Sequence, residues 1–312
     1  MVFLNMLPGA VAQGLIWGLM AIGVYISYKI LDIADLTVDG SICTGGCVCA
    51  VLIVNGVPAW LAVIIAILAG GVTGMITGLL HTALGIPSIL AGILTQLMLY
   101  SVNLAILGGK SLLALSANSY DLLLKMSNNP LAVVVAGLII VLVIIILWLF
   151  FYTEVGLTLK STGDNPNMSR AQGVNVKRNK VIGLAISNAI VALAGALLVQ
   201  YKGSANINDG RGAIVIGLAA IFIGLSVSTK IKPNFVVSLI GVIGGGVVYY
   251  IIYNCVILMG LKTDYLKMLS AIIVVIFLAV PYIKSAYFTK HKSLHLAEEN
   301  IAEDDAGGAD NA

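Results

Sequence analysis

Nine stretches of this chain read as membrane-crossing helices, near 9–28, 37–54, 59–81, 86–108, 131–152, 180–201, 212–229, 235–253 and 265–284. A helix needs about 20 predominantly apolar residues to cross a hydrocarbon core. A water-soluble globule has no interior large enough to hide that many. Composition agrees: of 312 residues, 60% are hydrophobic and 10% charged, with a mean hydropathy of +1.05. A soluble surface carries roughly a quarter to a third charged residues. The 34 glycines fit as well, because small residues let membrane helices approach closely. The expected fold is an all-α, polytopic membrane protein with about nine transmembrane helices, eight to ten at the limits. Two spans are weak: the second is short and opens with Asp35 and Asp39, and the seventh, Gly212 to Thr229, reads as either spanning or re-entrant. Disorder, a collagen repeat and a nucleic-acid-binding domain are excluded for the whole chain. Its first partner is the lipid bilayer, and no nucleic acid is expected.

The basic residues assign sides to the spans. With the N-terminus outside and every span crossing, one side receives Lys29, Lys160, Arg170, Lys177, Arg178, Lys180, Lys230, Lys232, Lys284, Lys290 and Lys292. The other receives Lys110, Lys125, Lys202, Arg211, Lys262 and Lys267. Cytoplasmic loops carry the excess of Lys and Arg, so the 153–180 loop and the C-terminus are expected in the cytoplasm, with the protein in the plasma membrane. No Lys or Arg precedes Lys29, so the first span lacks the basic start of a signal peptide and reads as a retained helix. Residues 1–285 form the transmembrane domain in this reading. Residues 286–312, with Glu298, Glu299, Glu303, Asp304, Asp305 and Asp310, read as a disordered acidic cytoplasmic tail. Segments 71–103 and 224–254 share a loose plan of Gly-rich span, Pro-bearing turn and a span ending in Tyr and Asn, a hint of internal duplication.

No enzymatic motif is present: no Walker A, no H-E-x-x-H and no G-x-S-x-G. The expectation is therefore no catalytic residues, no cofactor and no metal. Cys43 and Cys47 lie one helical turn apart without a nearby His or carboxylate, and read as packing residues. The long charged loop from Thr153 to Asn179 is the most informative soluble feature. Gly163-Asp164-Asn165-Pro166 reads as a turn in which Asp164 or Asn165 caps a short helix over 167–172. Gly173 then ends that helix in the left-handed conformation. In the spans, Asp35 and Asp39 would share one face of a helix, with Lys29 in reach of one of them. They read either as pathway groups or as a helix cap lying in the membrane interface. Gln96, Tyr100 and Asn103 also share a face, read equally as pathway lining or as helix–helix bonding. Ser187 and Asn188 read as helix–helix bonding, and Asp209 and Arg211, in an external loop, as a local pair or as salt-bridge partners of a binding protein.

Glu154, Gly156, Lys160, Gly163, Asp164, Asn165, Pro166, Arg170, Ala171 and Gly173 together resemble the coupling loop of ABC-importer permeases of the branched-chain amino acid type. Lys160 stands where Arg is common in that loop, and Gln172 where Leu is common. Asp35 to Ser41, Gly85 to Thr95 with Tyr100 to Asn103, and Gly210 to Gly224 resemble the branch of that family assigned to tryptophan and tyrosine uptake. The resemblance implies a permease subunit of an ATP-driven importer that carries a small solute such as tryptophan or tyrosine. It implies a cytoplasmic ABC ATPase docked on the loop, an extracytoplasmic substrate-binding protein, and a homodimer of this chain. ATP hydrolysis would then belong to the separate subunit. The rival reading is a secondary transporter or channel acting without an ATPase, which would need ion- or proton-binding groups deep in the bilayer.

Overall fold

The computed structural model describes residues 2–115, 120–126, 129–231 and 234–258, together with 268, 271, 272, 275 and 279. Ten α-helices and two short strands run in the order α1 (Val2–Tyr25), α2 (Val38–Val54), α3 (Ala59–Thr82), α4 (Ser88–Ile106), β1 (Leu112–Ala114), α5 (Asn129–Phe151), α6 (Glu154–Asp164), α7 (Pro166–Ala171), α8 (Val176–Lys202), β2 (Ser204–Asn206), α9 (Ala213–Ile231) and α10 (Phe235–Leu258). A π-helical turn, Ile26–Ile30, extends α1. Six helices are long and apolar enough to cross a membrane: α1 with its π-turn, α3, α4, α5, α8 and α10. α2 and α9 are apolar but shorter. Eight of the nine expected spans are thus helices, six of them of crossing length. The ninth, 265–284, falls almost wholly outside the described residues, as does the tail.

α8 is the central post, buried along most of its length. Small residues make this possible. On α3, Gly70, Gly74 and Gly78 form a stripe against α8, where a Cβ at Gly78 would come within 2.8 Å of Val181 Cα and one at Gly74 would run into the Leu184 carbonyl oxygen. The same close approach joins Gly23 of α1 to Ser187 and Val191, and Gly45 of α2 to Ala192. Dispersion contacts between backbones replace the hydrophobic drive that lipid does not provide. α10 closes the far side of α1, with Gly14 and Gly18 against Val247 and Ile243. The outer faces of α3, α4 and α5 leave Leu68, Leu97, Leu138 and Leu142 exposed, as a lipid-facing surface requires.

The helices define two ends. At one, the π-turn meets α6, and His81 Nε2 at the end of α3 lies 3.2 Å from Lys180 Nζ near the start of α8. At the other, Tyr201 of α8 donates to Asn129 Oδ1 of α5 at 2.9 Å, and β1 pairs antiparallel with β2, Leu113 opposite Ala205. β1 lies in the connection between α4 and α5, and β2 follows α8 directly.

α2 and α9 begin inside the bundle. Residues 31–37 lead from the π-turn to α2 without a helix, Asp32 taking the left-handed conformation at φ 53°. Ser41, in the first turn of α2, donates to Asn188 midway along α8, at 2.6 Å. α9 starts against that same first turn, its Ile214 N–H donating to Asp39. Two helices starting in the interior from opposite ends is the plan of transporters with inverted repeats. The two segments that look alike in sequence correspond to α3–α4 and to the end of α9 with α10.

Candidate functional site

The charged connection between α5 and α8 is almost entirely helical, which corrects its reading as a loop. Thr153 caps α6 by accepting from Gly156 N at 3.3 Å. A Cβ at Gly156 would strike the carbonyl oxygen of Phe150, so only glycine lets α6 fold back this tightly over the end of α5. Gly163 and Asp164 are the last residues of α6 rather than a turn. Gly163 lies directly on the π-turn of α1, where a Cβ would enter the Ile30 carbonyl oxygen and stand 3.0 Å from Leu31 Cα. Leu159 is fully buried, and Asn179 of α8 donates to Thr162 at 3.0 Å. α6 is therefore fixed to α1, α5 and α8 together.

Asn165, in extended conformation, separates α6 from α7, and its side chain accepts from Asn167 N at 3.1 Å and Met168 N at 3.0 Å. It is the cap, not Asp164. Pro166 occupies the first turn, and α7 runs over Pro166–Ala171 rather than 167–172. Gly173, at φ +81°, ends it with open space around it. Ser169 is buried and donates to Ser161 Oγ at 3.3 Å, which seats α7 on α6. The outward side carries Glu154, Lys160, Asp164, Arg170 and Ala171, all exposed, together with Leu157 at 56% and Met168 at 60% exposure. Arg170 donates to Asn167 Oδ1 of its own helix at 3.4 Å. Exposed apolar side chains therefore stand among charges on an element braced at three points.

Asp35 and Asp39 do not share a helix face, because α2 begins at Val38. Asp35 binds the N-cap residue of α2, and Asp39 binds the start of α9. Asp35 accepts from Thr37 N at 2.9 Å and from Asn188 Nδ2 at 2.7 Å, and is 2% exposed. Asp39 Oδ2 accepts from Gly212 N and Oδ1 from Ile214 N, both at 2.9 Å, holding the first turn of α9. Carboxylates there suit the positive ends of two helix dipoles. Among the described residues neither pairs with Lys29, and the Asp35 partner Asn188 is halfway along α8. Around them run hydroxyl contacts unmarked by any sequence motif: Thr37–Thr77 and Ser41–Thr73, each at 2.7 Å. Ser187 donates to the Gly23 carbonyl at 2.7 Å, the helix–helix bonding its position predicts.

Asp39 also lines a cavity of about 410 Å³ with Gln96, Tyr100, Asn103, Gly40, Cys43, Leu97, Ile207 and Arg211. Four of the five intramembrane candidates meet there, and Asp35 is the one left out. Cys43 Sγ donates to the Ile207 carbonyl and accepts from Gly210 N at 3.0 Å, pinning the turn that closes the cavity. Arg211 is the residue sequence reasoning misplaced. Asp209 pairs with Lys202 at 3.1 Å instead, leaving Arg211 on the cavity wall. Its place could be read only from the knowledge that the 207–212 turn folds back onto α2.

The family model for the permease component of branched-chain amino acid transport systems matches residues 6–278. The chain belongs to that family. It is 39% identical to the tyrosine transport system permease protein of Clostridioides difficile (strain R20291), over 86% of this chain and 88% of that one. An uncharacterized protein of Rickettsia prowazekii (strain Madrid E) is 33% identical over 88% and 98%. The ribose import permease protein of Escherichia coli (strain K12) is 24% identical over 88% and 84%. No solved structure shows a significant match. This is an ABC transporter permease, a membrane protein of transmembrane transport, and its named relatives are permease proteins rather than enzymes.

Proposed function

We propose that this permease is the membrane subunit of an ATP-driven importer, and that α6 and α7 couple it to a cytoplasmic ABC ATPase. The observation that carries the reading is the braced element: Arg170 and Met168 are exposed, while Gly163 packs on the π-turn of α1 and Thr162 accepts from Asn179 of α8. A channel or ion-driven transporter has no use for such a lever. Two ATPase subunits require two levers, so the working unit is a homodimer of this chain in the plasma membrane. Its α6–α7 end and C-terminal tail face the cytoplasm, and a substrate-binding protein docks on the β1–β2 end. Residues 1–285 form the permease domain in this reading. The solute passes the cavity lined by Asp39, Gln96, Tyr100 and Asn103, with Asp35 holding α2 in place behind it. The solute is an amino acid such as tryptophan or tyrosine, in line with the name of the Clostridioides relative, a tyrosine transport system permease protein.

The test is uptake by sealed vesicles holding the permease with its ATPase and binding protein. Tyrosine should accumulate only with ATP inside the compartment that contains the ATPase, and Arg170→Glu should abolish uptake together with stimulated ATP hydrolysis. Accumulation driven by an ion gradient without the ATPase would refute the proposal.

A further inference from the structure

The cavity between α2, α4 and the 207–212 turn carries an unmet demand. Asn103 is 1% exposed, yet its Oδ1 has no hydrogen-bond partner. A buried acceptor without a donor is costly and marks a place where something else supplies the proton. Asp39 is close by in the lining, and its two oxygens each accept one backbone N–H. A carboxylate has about four acceptor sites, so Asp39 is held in a fixed orientation with capacity to spare. The same wall carries Arg211. The nearest acid in sequence, Asp209, is committed to Lys202 at 3.1 Å and to Asn206 N at 3.2 Å, and among the described residues no hydrogen bond or ion pair engages the guanidinium. The rest of the lining is Gln96, Gly40 and Cys43, with the apolar or aromatic Leu97, Tyr100 and Ile207.

Resting on the reading of this cavity as the solute path, we infer that it is a transit site for zwitterions, taking the ammonium group on Asn103 Oδ1 and Asp39 and the carboxylate on Arg211. The substrate's apolar side chain lies against Tyr100, Leu97 and Ile207. Three features select the zwitterion over a neutral sugar. An ammonium brings three donors and no acceptor, which is what Asn103 Oδ1 and Asp39 lack. A guanidinium fork matches a planar carboxylate in two parallel hydrogen bonds. Fixed groups of both signs on one small cavity lose hydration that a neutral polyol does not replace with charge. The site is half open, so a solute meets these groups in passing and is not locked in, as transport requires.

Leu97, 64% exposed on the rim, gives the experiment a reporter. The complete importer carries Leu97→Cys with Cys255→Ala, the other native cysteines being buried. The rate of maleimide labelling is measured with L-tyrosine, with tyramine (no carboxylate), with 3-(4-hydroxyphenyl)propionate (no ammonium) and with D-ribose. Tyrosine should slow labelling while the other three do not. Asn103→Leu should raise the tyrosine concentration needed by about tenfold, the worth of one lost hydrogen bond to a charged group. Arg211→Gln should remove protection, and Arg211→Lys should retain part of it. Equal protection by ribose, or wild-type protection in both Arg211→Gln and Asn103→Leu, overturns the zwitterion site while the path reading survives. If Leu97→Cys blocked with a bulky maleimide still imports at the full rate, the cavity is not on the path, and the path reading fails with it.

Discussion

Gly163→Ala adds one methyl group to a helix that would otherwise welcome it. Gly163 has right-handed helical geometry in α6, so alanine brings no backbone strain, and in a free helix it would stabilise by about 1 kcal/mol. The obstacle lies across the contact. The new Cβ would enter the Ile30 carbonyl oxygen and stand 2.8 Å from the Ile30 carbonyl carbon and 3.0 Å from Leu31 Cα. Carbon atoms rest at about 3.5–4.0 Å, so α6 must lift from the π-turn by roughly 1 Å or the turn must give way. Overpacking of this kind costs about 1–3 kcal/mol, which leaves a net loss of roughly 0–2 kcal/mol after the propensity gain. Stability should therefore fall only slightly, while the lever loses its seat on α1.

Gly173→Ala is the matched control. There the φ of +81° penalises any side chain by about 1–2 kcal/mol, but nothing lies within 4 Å of a Cβ, so α6 stays where it is. The two variants should melt at similar temperatures in detergent. Reconstituted with the ATPase and binding protein, Gly163→Ala should lose most solute uptake per ATP hydrolysed, while Gly173→Ala keeps the wild-type ratio. Uptake per ATP at the wild-type level in Gly163→Ala, with the substitution verified in the purified complex, would show that contact between α6 and the π-turn transmits nothing.

Asn165→Ala removes the acceptor for Asn167 N and Met168 N and should cost about 1 kcal/mol, read as faster protease cleavage within 166–171 and weaker binding of the ATPase. Asn188→Leu strips Asp35 and Ser41 of partners at 2.7 and 2.6 Å and should destabilise the bundle by about 2–3 kcal/mol, seen as a lower melting temperature; an unchanged one would mean that these bonds are replaced by water. Single cysteines replacing Asn167 and Asn208, in a background lacking the four native cysteines, should label from opposite faces of sealed cells, and labelling of the first from outside would invert the orientation.

The spans were legible because apolar runs of about 20 residues have few other uses, and helices occur at eight of the nine positions expected. What escaped was everything that depends on a partner across space. Glu154 to Asp164 reads as a loop because its apolar residues are few, yet Leu159 and Gly163 find α8 and α1 and make it a helix. Gly163 and Gly173 look alike in the chain, but one serves close approach and the other a left-handed backbone. The carboxylate pair illustrates the limit best. Four residues apart, Asp35 and Asp39 invite an argument from helix periodicity, and that argument fails because the helix starts between them. One carboxyl binds the N-cap residue of the helix that follows it. The other reaches the start of α9, well over a hundred residues later, and in doing so brings the 207–212 turn and Arg211 to the wall that Gln96, Tyr100 and Asn103 share. Periodicity places α4's polar face correctly, but only the broken helix opposite gives that face a cavity to line.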